Sequence, residues 1–230
     1  MIDARGGHAI SFPAMAILPP AAPDSATRIL HEPADLMVFI SPNAVNFALG
    51  LLGQHSLAQD TRIAAVGSAT AEALETAGHR VDLQPAERFD SEGLLALPEL
   101  ASLRGQRVVI VRGEGGRALV GETLQARGAD LVYAEVYRRV RPDTETASLL
   151  EDWRQRVDLV TATSNEILSN LVTMLGQTGW PMLSCTPLLV ISERMREQAE
   201  TMGFKTVLVA QNASNRAIVA RLCDWVKSSG

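Results

Sequence analysis

Small hydroxyl and amide residues gather where apolar runs give way to helical patterns: Ser41 and Asn43, Gly67, Ser68 and Thr70, Thr163, Ser164 and Asn165, Ser192, and Ser214 with Asn215. Backbone N–H groups at helix starts point outward with partial positive charge, so a set of such turns suits a ligand bearing carboxylates or phosphates. Each residue also has a local explanation as an N-cap, because Ser, Thr, Asn and Asp are favoured there. A second group is cationic. Arg112 opens the turn Arg112-Gly113-Glu114-Gly115-Gly116-Arg117, and Arg138, Arg139 and Arg141 follow Tyr137. Arg112 is placed either to neutralise a ligand carboxylate or to pair with Glu114 or another neighbour. The later arginines either meet a ligand or form a solvated connector. A tyrosine hydroxyl at such a place can donate a proton or hold a leaving group, since phenols titrate near ~10 and act as acids at neutral pH.

What is missing narrows the chemistry. The glycine turn lacks the Lys-Ser/Thr ending of a nucleotide loop and the G-x-G-x-x-G spacing of a dinucleotide turn. There is no metal-ligand spacing, no G-x-S-x-G nucleophile turn and no histidine at the strand-to-helix turns. Cys185 and Cys223 sit in apolar or amphipathic segments and read as buried free thiols. No metal and no other cofactor is expected, and any reaction would rest on positioning and electrostatics.

The elements that position these residues follow from the punctuation. Leu36–Ile40 reads as a buried strand, with Ser41 capping a helix that has Pro42 in its first turn and runs through Leu52. Arg62–Val66 is the next strand and Ala69–Ala77 a helix stopped by Gly78; Val81–Leu83 is a short strand and Glu92–Leu97 a helix. Val108–Val111 leads through the glycine turn into a helix from Arg117 to Gln125, a stop at Gly128, and a strand from Leu131 to Tyr137. Beyond Glu145 the spacing predicts a helix over Leu149–Arg156, a strand over Leu159–Ala162 and a helix over Ser164–Leu175. It then predicts a strand over Leu188–Ile191, a helix over Glu193–Met202, a strand over Val207–Val209 and a closing helix over Asn215–Lys227. Strands alternating with helices make parallel sheets covered on both faces, whose ligand side is the carboxyl end of the strands.

The plan occurs twice. Ala126-Arg127-Gly128-Ala129-Asp130 can be laid over Ala4-Arg5-Gly6-Gly7-His8, and Ser41-Pro42-Asn43 over Thr163-Ser164-Asn165, at a shift of about 122 residues, the size of one small domain. Ala64–Gly78 likewise lies over Leu189–Gly203. Met1–Gly7 reads as a helix end with a glycine stop and Ala9–Ile17 as a strand, so the first copy begins part-way through the unit. The opening strand and most of a helix are expected ahead of Met1, or else lost. Pro19–Pro23, PPAAP, reads as a stiff extended connector. The expected fold is therefore α/β: two similar parallel-sheet domains (flavodoxin-like) joined by a two-stranded connector, one inserted in the other, with the first strand and helix of the outer domain missing. The outer domain takes residues 1–18 and 143–230, the inserted domain 22–137, and the connectors 19–21 and 138–142.

Composition excludes several classes. Apolar residues are 47% of the 230 and aromatics only 4%, as for helices packed on parallel sheets, and enough for two cores. A net charge of −5 argues against a general nucleic-acid or acidic-membrane binder. No apolar run reaches the roughly 20 residues of a membrane span and no signal peptide is evident, so a cytoplasmic, soluble protein is expected.

Taken together, Ile40-Ser41-Pro42-Asn43-Ala44-Val45, Ala65-Val66-Gly67-Ser68-Ala69-Thr70 running to Gly78, Val111–Arg117, Glu135-Val136-Tyr137-Arg138 with Pro142, and Ser192-Glu193-Arg194 with Gly203 resemble the uroporphyrinogen-III synthase family, in order and over essentially the whole chain from Ala4. The resemblance implies a cofactor-free enzyme that closes linear hydroxymethylbilane into uroporphyrinogen III, inverting the last pyrrole ring and losing water. It implies a small-molecule substrate rich in carboxylates, held in a cleft between two domains of a monomer. By position, Tyr137 matches the tyrosine proposed to assist departure of the hydroxyl, and Thr70 a cleft threonine. Ser41, Asn43, Ser68, Thr163, Ser164, Asn165 and Ser192 match cleft-lining turns, with Arg112, Arg138 and Arg194 as candidate partners for carboxylates. Arg194-Met195 stands where many members carry threonine. A non-catalytic two-domain binder of an anionic tetrapyrrole, or an inactive truncated copy, would share these features.

Overall fold

The apolar runs become the central strands of two parallel sheets in a computed structural model that describes residues 1–53, 55, 57, 60–116 and 118–229. The chain divides into two compact units, Ile17–Val140 and the pair Met1–Ala16 with Arg141–Gly230.

The continuous unit contains β1 (Ala16–Leu18), α1 (Pro23–His31), β2 (Leu36–Phe39), α2 (Pro42–Leu52), β3 (Arg62–Ala65), α3 (Ser68–Thr76), α4 (Ser91–Leu95), β4 (Arg107–Gly113), α5 (Leu119–Ala126) and β5 (Asp130–Val140). Its sheet has the order β1-β5-β4-β2-β3, with β5, β4, β2 and β3 mutually parallel. Alternation within the apolar runs fills two cores. Met37, Phe39, Val109 and Val111 face Leu30 of α1, Val45 and Ala48 of α2 and Leu74 of α3. Leu36, Val38, Val108 and Ile110 face Leu94 of α4 and Val120 and Leu124 of α5. Burial on both faces is why these strands read as unbroken apolar runs.

One irregularity matters for the site. Arg112 pairs with Glu135, but Gly113 pairs with Tyr137, so the register slips past Val136. Successive residues of a regular strand point to opposite faces. The bulge instead lets Val136 and Tyr137 both enter the core shared with Phe39 and Val111.

The second unit contains α6 (Ala147–Glu151), α7 (Trp153–Arg156), β6 (Val160–Thr161), α8 (Asn165–Leu183), β7 (Leu188–Val190), α9 (Glu193–Met202), β8 (Val207–Val209) and α10 (Asn215–Ser229). Its sheet is β6-β7-β8, all parallel. Trp153, Leu168, Leu171, Leu188, Val190 and Ala199 form its core, which Phe12 and Ala14 join from the start of the chain.

Several sequence expectations are corrected. Residues 7–15 form no strand; only Ala16–Leu18 does, and it lies beside β5 in the other unit's sheet. The segment before it is held by side chains instead, with Asn170 Nδ2 donating to the Ala14 carbonyl at 2.9 Å. Met1–Gly7 holds a single 3-10 turn, Asp3–Arg5, ended by Gly6 in the left-handed region. Pro23 does not extend the connector but starts α1, because proline fits the first helical position, where its missing N–H costs nothing. Val81–Leu83 reduces to one bridge between Leu83 and Ala64, and β1 is the fifth strand. The helix expected from Arg117 begins at Leu119, Arg117 itself lying outside the described residues. Leu149–Arg156 is broken at Asp152 into α6 and α7. α8 runs past Leu175 to Leu183 with a non-helical Gly176 (φ 59°, ψ −161°) inside it.

Candidate active site

At the carboxyl edge of the larger sheet each strand ends in a turn that places one or two small residues. β2 passes through Ile40 into Ser41, whose extended backbone (φ −163°, ψ 159°) ends the strand and whose Oγ accepts from the Ala44 amide at 3.1 Å. β3 ends at Ala65 and leads through Val66 to Gly67, which caps α3 without a side chain. β4 ends at Gly113, opposite Tyr137 of β5.

Two of these positions, Ser41 and Gly113, meet around one phenol. Tyr137 is 6% exposed, and its hydroxyl lies 3.4 Å from Ser41 Oγ, where either group can donate. Its ring packs on Phe47 of α2 with centroids 5.7 Å apart. A side chain at Gly113 would meet the ring at 2.5 Å, so glycine is what lets the tyrosine lie across the end of β4. The Ser41 hydroxyl keeps a proton to offer while its lone pairs serve the cap and the phenol. The arrangement holds a phenol hydroxyl against the residue that caps α2. We expect Ser41→Ala to cost about 1 kcal/mol of stability through the lost cap, and Ser41→Gly only a few tenths, as read from denaturant midpoints.

The other candidates divide by environment. Asn43 and Ser68 are exposed in the first turns of their helices. Thr70 is buried at 3% exposure, inside α3 instead of on its rim. Arg112 is engaged within the protein: it donates to Glu135 Oε1 at 2.9 Å and to the Gly116 carbonyl at 3.2 Å, and stacks 3.8 Å over the Tyr133 ring. Its partner is thus Glu135, whereas Glu114 accepts from the Ala21 amide. Arg138 is exposed and donates to the Pro19 carbonyl at 3.3 Å.

In the second unit Ser164 caps α8, accepting from Ile167 N at 3.1 Å, and Ser192 caps α9, accepting from Met195 N at 3.3 Å. Both have the extended backbone of Ser41. The caps therefore align Ser41 with Ser164, not with Thr163 as the sequence overlay placed it. Thr163 and Arg194 are exposed, and Asn165 has a buried Oδ1 without a hydrogen-bond partner. Sequence reasoning missed Phe47, whose only signal is its place two turns into the helix that Ser41 caps. It also passed over Phe89, an exposed aromatic (52%) whose backbone carbonyl packs against Gly67.

Among the described residues no group of histidine, cysteine, aspartate and glutamate has the geometry to hold a metal, and no helix is long and apolar enough to cross a membrane.

Comparison with known proteins decides the family. The family model described as Uroporphyrinogen-III synthase HemD matches residues 1–220. The uroporphyrinogen-III synthase of Escherichia coli K12 is 39% identical over 199 residues, covering 82% of this chain and 78% of that protein. The chain belongs to the uroporphyrinogen-III synthase family. A putative member from Methanothermobacter thermautotrophicus is 31% identical over 183 residues, covering 76% of this chain and 72% of its own. Among solved structures, a mutant uroporphyrinogen III synthase from Thermus thermophilus superposes with a TM-score of 0.60 at 17% identity, covering 98% of this chain and 90% of its own. The uroporphyrinogen-III synthetase of Helicobacter pylori 26695 gives 0.62 at 16% identity over 84% of each chain. At those identities the structures speak for the fold, which in this family is mixed α/β with parallel sheets.

Proposed function

We propose that this chain converts linear hydroxymethylbilane to uroporphyrinogen III, inverting the last pyrrole ring and releasing water, as a cyclising hydro-lyase without a cofactor. The observation that carries this is the Tyr137 phenol, held by Ser41 and by the close approach of Gly113 at the strand ends, in a chain of this family. Tyr137 gives its proton to the departing hydroxyl, which leaves as water when the carbon–oxygen bond breaks. The azafulvene so formed is electrophilic and is attacked by the α-carbon of the far ring that already bears the linking methylene, giving a spiro intermediate. That methylene's bond to the ring then breaks and re-forms at the ring's other α-carbon, which inverts the ring. The proton released as the macrocycle regains its pyrroles returns to the tyrosinate. The remaining work is positional: holding the chain curled raises the effective concentration of its two ends.

The helix-start turns, Ser41 and Asn43, Ser68, Thr163 to Asn165 and Ser192, are assigned to the substrate carboxylates through their amides and hydroxyls, while Thr70, buried inside α3, supports the Ser68 turn from beneath. Arg138 and Arg194 add positive charge. Arg112 is assigned the same role with Glu135 as its resting partner. On this reading the chain is a cytoplasmic monomer made of two copies of one α/β plan.

Freshly generated hydroxymethylbilane given to the purified chain tests the reading. Isomer III above the uncatalysed background is the expected product; isomer I alone would defeat it. Tyr137→Phe should lower turnover by about 10²-fold, the lower range for loss of a general acid, with an unchanged unfolding midpoint. Undiminished turnover would remove Tyr137 from the mechanism.

A further inference from the structure

Phe89 is exposed where the aromatic side chains of this fold are otherwise covered. At 52% it is the one exposed phenylalanine, tyrosine or tryptophan among the described residues. It lies between the Ala64–Leu83 bridge and α4, in a turn on the carboxyl side of the larger sheet. A lone apolar side chain on a loose surface loop would call for no explanation. Here the backbone beneath it is fixed. The Asp90 amide donates to the Arg88 carbonyl at 2.9 Å, which makes Phe89 the centre of a three-residue turn. Asp90 Oδ1 accepts from the Gly93 amide at 2.8 Å, and Arg88 Nε donates to Asp90 Oδ2 at 2.5 Å. Two glycines let the turn close on its neighbours. A Cβ at Gly93 would lie 1.8 Å from the Arg88 carbonyl oxygen, and one at Gly67 would lie 3.4 Å from that of Phe89. Since Arg88 is committed to Asp90 and Glu92, what the turn offers a ligand is an aromatic ring rather than an unpaired cation.

Strand order sets the distance to the phenol. Gly67 follows β3 as Ser41 follows β2, and the Val66 amide donates to the Phe39 carbonyl at 3.1 Å, so the two turns are neighbours. Phe89 packs on the Gly67 turn, while Tyr137 reaches the Ser41 turn from β5. With strands about 4.8 Å apart, the Phe89 ring stands on the order of 10 Å from the Tyr137 hydroxyl.

We propose, on the basis of the synthase reading above, that Phe89 is a substrate-binding residue whose ring packs against one of the two middle pyrroles of hydroxymethylbilane while the hydroxymethyl end meets Tyr137. In a curled bilane both terminal rings converge on the reacting carbon, so the rings that lie so far from the phenol are the middle ones. A pyrrole presents an electron-rich face, and the electropositive edge of a phenyl ring complements it in an edge-to-face or offset contact. Because the turn is already ordered, little freedom is lost in making that contact.

The test compares Phe89→Ala, Phe89→Leu and Phe89→Tyr in the full chain by two readouts. One is KM and kcat for formation of isomer III. The other is equilibrium dialysis of a bilane that carries methyl in place of hydroxymethyl and cannot close. Alanine should raise KM and weaken binding of the analogue by about 3–10-fold, the worth of one aromatic contact, with kcat retained and the unfolding midpoint unmoved, as for an exposed side chain. Leucine should do nearly the same, and tyrosine should restore both values. Isomer III formed with KM or analogue binding unmoved by alanine would overturn the contact and leave the synthase reading standing. Analogue binding that weakens as stated in a chain whose parent forms no isomer III would defeat the synthase reading and keep the contact. A parent chain that neither forms isomer III nor binds the analogue would overturn both. Parental values in the leucine variant would overturn the aromatic contact, leaving one of bulk alone, and an alanine variant that loses kcat and midpoint together would overturn it in favour of a structural role.

Discussion

Gly113→Ala is expected to lower turnover by about 10²-fold, the cost of a misplaced reacting group, while the fold persists. A methyl here would lie 2.5 Å from two ring carbons of Tyr137. Gly113 is fixed by the ladder between β4 and β5, so the ring must tilt. The tilt carries the hydroxyl away from Ser41 and from the hydroxyl it is assigned to protonate. Overpacking of this kind costs about 1–3 kcal/mol, less than small domains commonly hold in reserve. The rate of isomer III formation and the unfolding midpoint, measured on the same preparation, separate the two effects. A parental rate would show that ring orientation is immaterial.

The second large effect is on stability. Phe39→Ala should cost about 3–5 kcal/mol, because Phe39 is fully buried and its loss leaves a cavity between the sheet and its helices. Phe39 pairs with Ala65 on one side and Val111 on the other, one residue before the Ile40-Ser41 turn. The cavity therefore opens in the core that Tyr137, the proposed proton donor, also enters. A denaturant midpoint shifted by less than about 1 kcal/mol, on the order of an exposed substitution, would mean the site collapses to fill it.

Much of this was legible before any coordinates. Runs such as Val108–Val111 and Leu36–Phe39 are unbroken because both faces are covered, and the glycines at 78, 128 and 203 end their helices in the left-handed region as read. Ser41, Ser164 and Ser192 announce helix starts through their residue type, and each does cap. Their proximity to other groups was not legible. Ser41 and Tyr137 are 96 positions apart, and periodicity carries no information about which strand ends are neighbours. The Arg112 ion pair to Glu135 depends on β4 and β5 lying side by side, whereas sequence proximity pointed to Glu114. α1 was hidden by PPAAP, where proline density suggested extension although the last proline suits a helix start. The slip past Val136 has no sequence signature at all, yet it is what turns Tyr137 into the core.

The two units also differ in when they can form. All strands of the Ile17–Val140 unit are present once Val140 has been synthesised, whereas the other unit must join residues 1–16 to partners such as Asn170, 156 positions after Ala14. At ordinary elongation rates the remaining chain takes on the order of 5–20 s to emerge, ample time for the first unit to fold on the ribosome. Folding it sets β1 beside β5, with Arg138 bonded to Pro19. That brings the two loose ends together before the second unit begins. A closure that would have spanned most of the polypeptide becomes a short one, so the discontinuous unit inherits its proximity from the continuous one.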